Sequence, residues 1–303
     1  MAINLYNIKK WYKMLTGKSV LHVNQDFGKQ FRVGILSGYF NNLTEKVIKE
    51  PDLLTNSDVP VVIAENGEKI YFPVAIFQYG LGAYDLYLET GQRIYLNKFE
   101  QCVQWALENQ EDSGAWHNFF FIYPEHPYGA MCQGEGASLL VRAYKEFDEK
   151  RYYDAAVKAL DFLIKPVELG GTSLINEDQV VLLEYTHRPA VLNGWIFALF
   201  GLYDFLLVED DIKYQKFFNK TVRTLAENIS LFDGGYWSIY DLDGKISSGF
   251  YHNLHIAQMH ALFLVTENDI FYHYEMKWKK QQESFWNSKR AFMVKVFQKI
   301  FER

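Results

Sequence analysis

Glu184-Tyr185 opens the part of this chain best equipped to do chemistry. Pro189 then interrupts the backbone, and a strongly apolar helix is predicted from about Asn193 onward through Gly194, Gly201, Tyr203 and Asp204. Two more tyrosine motifs follow, Trp237-Ser238-Ile239-Tyr240-Asp241-Leu242 and Gly249-Phe250-Tyr251-His252. A glutamate and three tyrosines on links between buried helices suit a site that moves a proton on a sugar. A free glutamate titrates at about 4.3 and a free tyrosine at about 10. Desolvation raises the first and a nearby cation lowers the second, so the pair can act as acid and base near neutral pH.

The elements that must position these groups are mostly helical. Residues 1–72 read as an irregular segment with a β-hairpin, whose turn is Asn66-Gly67, a pair that tolerates positive φ. After Pro73 the apolar period becomes helical. Helices are expected at 74–88, 94–109, 131–147, 151–164, 191–207, 212–228, 254–264 and 269–286. Short and long connections alternate, which implies helical hairpins arranged as a mainly α, (α/α) toroid over residues 73–288. The long links carry the unusual residues, and long ordered links tend to be functional. Residues 289–303 read as a separate basic amphipathic helix. It is expected to dock on its own domain, with a membrane surface or a glycosyltransferase as the alternative.

Composition narrows the function. Aromatic residues make up 17% of 303 residues, enough for both a core and a groove that stacks on sugar rings. The net charge of −6 argues against a nucleic-acid partner. Cys102 and Cys132 have neither metal nor disulfide spacing and read as buried thiols, as in a reducing compartment. Met1 to Trp11 holds no signal-type apolar run, so a cytoplasmic location is expected. No cofactor and no metal are expected. His252 and His255 are one helical turn apart, but no third ligand has matching spacing.

Seven motifs then carry a resemblance. Phe72-Pro73 through Gln78-Tyr79-Gly80-Leu81, Trp105 through Asn109-Gln110 to Gly114-Ala115-Trp116, and Ala130-Met131-Cys132-Gln133 through Arg142-Ala143-Tyr144 precede Glu184-Tyr185, Val191-Leu192-Asn193-Gly194 and the two later tyrosine motifs. In this order they resemble the C-terminal domain of D-glucuronyl C5-epimerases, which turn glucuronate into iduronate within heparan-type polysaccharides. The resemblance implies a two-base inversion at C5, with Glu184 and Tyr251 as the opposed acid/base pair and Tyr185 and Tyr240 as relays or orienters. It implies an acidic glucuronate-containing poly- or oligosaccharide as substrate; a homodimer stays open. Two features depart from the family. The central β-sandwich of vertebrate members is replaced by one short turn and a helix, and Asp243 stands where the family has an arginine after the IYDL tyrosine. Arg188, which can hold a carboxylate bidentately, and Lys245 are the candidate substitutes.

Other residues carry competing readings. Asn193 either caps a helix or meets a uronate at its N-terminus. Gln78 and Gln133 are amides in apolar helices, where a sugar hydroxyl is one possible partner, and Tyr79 lies in the same motif as Gln78. Trp116 is either core or a stacking platform. His252 is expected to touch the sugar or a catalytic tyrosine. Glu184 alone could cap a helix, and Glu135 and Arg142 could form structural pairs. A uronate lyase shares the first proton abstraction, an acidic-glycan binder would do no chemistry, and a two-carboxylate glycosidase fits the same fold.

Overall fold

Pro73 sets the first long helix: its fixed φ suits the first helical position, and it follows directly on a small hairpin of β1 (Val62–Ile63) and β2 (Lys69–Ile70). The computed structural model describes residues 23–49, 54, 58–63 and 67–301. Asn66 of the expected turn and the first 22 residues lie outside these; Gly67 has the expected positive φ, +83°.

The described residues form ten α-helices: α1 (Thr44–Ile48), which precedes the hairpin, α2 (Pro73–Thr90), α3 (Arg93–Glu108), α4 (Ala130–Phe147), α5 (Lys150–Ile164), α6 (Leu192–Leu206), α7 (Ile212–Asn228), α8 (Gly249–Thr266), α9 (Asp269–Glu283) and α10 (Phe285–Phe301). A second antiparallel hairpin, β3 (Ser173–Ile175) and β4 (Val180–Leu182), lies between α5 and α6. Helices α2/α3, α4/α5, α6/α7 and α8/α9 pack as hairpins. The even-numbered members line the inside, α2 against α4, α4 against α6 and α6 against α8. The result is an (α/α) toroid.

Sequence decides which helix is inside. Helix α6 is buried continuously from Leu192 to Phe205, as an all-apolar helix must be. Helix α5 buries one stripe, including Tyr152, Ala156, Leu160 and Leu163, and wets the rest. Helices α4 and α6 approach closely because a side chain would not fit between them: a Cβ on Gly201 would lie 2.5 Å from the Gly134 Cα.

The segment before the toroid is built into it. Phe40 stacks on Phe200 of α6 at 3.7 Å, and Phe31, Tyr39 and Leu43 join the same core. Two helix boundaries differ from expectation. Helix α8 begins at Gly249 rather than 254, because Ser248 caps it by accepting the Tyr251 N–H. The stretch expected as one helix over 269–286 breaks at Ser284, whose hydroxyl accepts the Asn287 N–H and starts α10.

Candidate active site

Glu184 follows strand β4 and is held where three inner helices begin. The neighbouring Leu183 carbonyl accepts the Ala130 N–H at the start of α4 (2.8 Å). A Cβ on Gly129 would lie 2.2 Å from the Glu184 carbonyl, and one on Gly194 would lie 2.3 Å from its Oε2. Both glycines are therefore required for the glutamate to sit against the first turns of α4 and α6. Burial pushes its carboxyl up to about 7; a hydrogen bond with Tyr185 opposes the rise and Asp241 adds to it. Its buried Oε2 has no protein partner.

The three tyrosines surround this carboxyl. Tyr251 is the third residue of α8, on its first turn rather than on a link as the sequence suggested. Its ring is 4.8 Å from that of Tyr240, at 60°. Burial and then the Glu184 charge hold the Tyr251 hydroxyl above the ordinary phenol range, while a hydrogen bond with Tyr240 opposes them. Tyr240 and Tyr185 are also held up, first by burial and then by Glu184. The Tyr240 carbonyl accepts the Leu192 N–H (3.1 Å), which ties its loop to the start of α6. Tyr185 stacks on Phe119 at 4.4 Å.

Arg188 lies exposed at the rim, its guanidinium 4.8 Å from the Tyr123 ring and 5.5 Å from that of Tyr185. Nη2 donates to the Tyr123 hydroxyl (2.6 Å). Asn193 is the second residue of α6, and no side chain caps that helix, so the capping alternative falls. Its buried Oδ1 has no protein partner, and its carbonyl accepts from Gln258 (3.2 Å). Gln78 donates to Glu135 Oε1 (2.8 Å), and Gln133 donates to the Gly129 carbonyl (3.5 Å).

Four expected contacts are corrected. Trp116 is buried, its indole N–H donates to the Ala106 carbonyl (2.9 Å), and its ring packs on Phe77, so it is core and not a sugar platform. Tyr79 is equally buried, with its hydroxyl accepting from Lys98 (2.9 Å). His252 is sandwiched against Trp237 at 3.7 Å, and both ring nitrogens are occupied, by Ser238 and by the Trp278 carbonyl. It braces the Tyr240 loop from behind. Lys245 pairs with Asp241 (3.1 Å) and Asp243 (3.6 Å), which takes up the charge that a substrate carboxylate would need.

Two residues near the site are not among the site candidates the sequence offers: Glu135 reads only as a structural pair, and Lys295 is not singled out. Glu135 is buried beside Glu184, which helps push its carboxyl up to about 8 after burial itself; Gln78 and Lys46 oppose the rise. A glutamate flanked by Gly134, Gly136 and Ala137 was the available signal. Lys295 comes from α10. It is buried, donates to the Ile246 carbonyl (2.7 Å) and lies 5.5 Å from the Tyr240 ring centre. Nothing in its own segment pointed to the site. Among the described residues no three His, Cys, Asp or Glu side chains are grouped to hold a metal ion. The arrangement can exchange protons with a bound carbon or oxygen acid.

Comparison with known proteins gives three kinds of match. The family described as D-glucuronyl C5-epimerase C-terminus matches residues 123–280. A D-glucuronyl C5-epimerase of Caenorhabditis elegans is 30% identical over 166 residues, 48% of this chain and 27% of that protein. The uncharacterized protein MJ1128 of Methanocaldococcus jannaschii is 30% identical over 158 residues, 50% of this chain and 51% of the other. The chain thus spans about half or less of the relatives it matches. In fold it is similar to the Lin0763 protein of Listeria innocua, with a TM-score of 0.55 at 14% identity over 85% of this chain and 77% of the other. It is also similar to an unsaturated glucuronyl hydrolase specific for heparin, with a TM-score of 0.52 at 14% identity over 71% and 63%.

Proposed function

The chain belongs to the family of the D-glucuronyl C5-epimerase C-terminus, and from that premise we propose that it inverts C5 of glucuronate units in an acidic poly- or oligosaccharide. The observation that carries this reading is the state of Glu184. Its carboxyl is held at about 7, so both protonation states are populated at neutral pH, and its Oε2 has no protein partner while three phenols surround it.

Inversion needs a proton removed from one face of the sugar and another delivered to the opposite face. Glu184 as carboxylate takes the C5 proton. Tyr251, whose phenol is held protonated by burial and by the Glu184 charge, delivers the other. Tyr185 follows Glu184 in sequence and Tyr240 packs on Tyr251, 4.8 Å between ring centres, so these two relay the proton back after turnover. The charge that develops on the sugar carboxylate during abstraction is met by Arg188 at the rim and by the N–H groups at the start of α6. The buried, unpartnered oxygens of Asn193 and Gln258 match sugar hydroxyl donors, and the protonated Glu135 carboxyl matches a hydroxyl acceptor.

Incubation with a heparosan-like polymer, followed by NMR of the uronates and by ultraviolet absorbance, tests the reading. Iduronate without new absorbance supports it. Absorbance from an unsaturated uronate makes the chain a lyase, and tight binding with neither change makes it a glycan binder.

A further inference from the structure

Helix α10 lies beyond the part of the chain that matches the family, and its two faces have opposite character. The inward face docks on the Tyr240 loop. Ala291 is buried against Trp237 and Ile246, Lys295 donates to the Ile246 carbonyl, and Gln298 donates to the Gly244 carbonyl while accepting the Ile246 N–H. A helix docked this way should turn a polar face to solvent. This one turns out Phe285, Trp286, Phe292, Met293, Phe297 and Phe301, with Trp286 79% and Phe301 74% exposed. So large a contiguous apolar face marks an interaction surface.

We propose that this outward face binds an anionic lipid surface, with the helix lying in the plane of the headgroups. Charge selects that partner. Lys289, Arg290 and Lys299 lie on the helix, and the sequence has no acid between Glu283 and Glu302, in a chain whose net charge is −6. Aromatic rings at the headgroup boundary with cations among them form the pattern of an interfacial helix. A second copy of the same face would bring these cations against each other across a two-fold axis, which opposes a dimer built on it. No described helix is long and apolar enough to cross a membrane, so the geometry is that of lying on the surface. This inference does not depend on the epimerase reading.

The test is flotation of the full chain with phosphatidylcholine vesicles, with and without phosphatidylglycerol. The chain should float with the phosphatidylglycerol vesicles, and added salt should weaken the binding. Trp286→Ser with Phe297→Ser should lower the partition roughly tenfold, with an unchanged circular dichroism spectrum and melting point because both side chains are exposed. Lys289→Gln with Arg290→Gln should remove the preference for the anionic lipid. Absence of flotation with either vesicle overturns the proposal, as does equal flotation of the aromatic double variant. A concentration-dependent dimer in sedimentation that the aromatic variant dissolves assigns the face to a second copy and overturns it as well.

Discussion

Two polar clusters are buried among the inner helices, and they close their hydrogen bonds differently. The first is near the C-terminal ends of α4 and α6. Arg142 meets both oxygens of Asp204 (2.6 and 3.2 Å) and the carbonyls of Ser37, Gly38 and Ser138, so all its N–H directions are used. Asp85 of α2 accepts the Tyr39 N–H beside it (2.9 Å). The second cluster is near the starts of α4 and α6, where Glu184, Glu135, Asn193 and Gln133, with Gln258 of α8 bonded to the Asn193 carbonyl, each leave a buried side-chain oxygen with no protein partner. Asn193 and Asp204 are on one helix, about 16 Å apart at 1.5 Å per residue. The Arg142–Asp204 pair, whose guanidinium is fully bonded, ties the N-terminal segment to the toroid; the open cluster offers buried polar oxygens to a molecule rich in hydroxyls. The difference separates residues that hold the fold from residues that meet a substrate.

Substitutions in the two clusters should therefore fail in different assays. Glu184→Gln and Tyr251→Phe keep shape and remove a proton carrier, so each should abolish inversion, a loss of roughly 10²–10⁴ in turnover or more. Neither should lower the melting point, and a variant that unfolds instead would place Glu184 with the structural cluster. Asp204→Ala leaves the Arg142 charge buried without its partner and should cost about 3–5 kcal/mol of stability. Denaturant titration reads this loss, and turnover per folded molecule should be unchanged.

Lys295→Met should sharpen the comparison from outside the family match. It removes the cation beside the Tyr240 ring and the bond to Ile246, so turnover should fall roughly tenfold, about 1.4 kcal/mol, with substrate KM little changed. Lys295→Arg should restore part of the rate if charge at this place matters, and a loss confined to stability would make the helix a simple brace. Glu135→Gln has the smallest expected effect. The native carboxyl is held at about 8, well above the ordinary carboxylate range, so the native state binds this proton more tightly than the unfolded chain. Its contribution is complete at low pH and is lost as pH rises through about 8. The variant should match the parent near pH 5 and exceed it by about 1 kcal/mol near pH 8, because Lys46 loses a counter-charge and limits the gain. Denaturation curves at the two pH values check it, and a variant less stable than its parent at pH 8 contradicts the cause assigned to the shift.

The fold was legible because its signals are local. Pro73, the continuous apolar run of α6 and the single stripe of α5 name inner and outer helices without any tertiary information. Glu184 and the three tyrosines were found through the order of their motifs, and the structure brings all four within electrostatic reach of one another. The errors fall where a side chain's partners come from distant segments. His252 is expected from the sequence to touch the sugar or a catalytic tyrosine, yet Trp237, Ser238 and Trp278 enclose it. Trp116 stands on a glycine-bearing turn but is drawn into the core by a carbonyl on α3 and the ring of Phe77. Ser248, a single capping hydroxyl, moved the start of α8 and with it the setting of Tyr251. Lys295 was invisible because its relation to Tyr240 exists only once α10 has folded back on the 237–246 loop.

The central claim, that the open cluster moves the C5 proton of a uronate, is tested most directly by hydrogen exchange at that carbon. A glucuronate polymer is incubated with the chain in deuterated water, and deuterium at C5 is read by NMR and mass spectrometry. The account predicts deuterium at C5 of both glucuronate and newly formed iduronate, with inversion lost in Glu184→Gln and kept in folded Asp204→Ala. A polymer that binds the chain yet acquires no deuterium at C5 would contradict it.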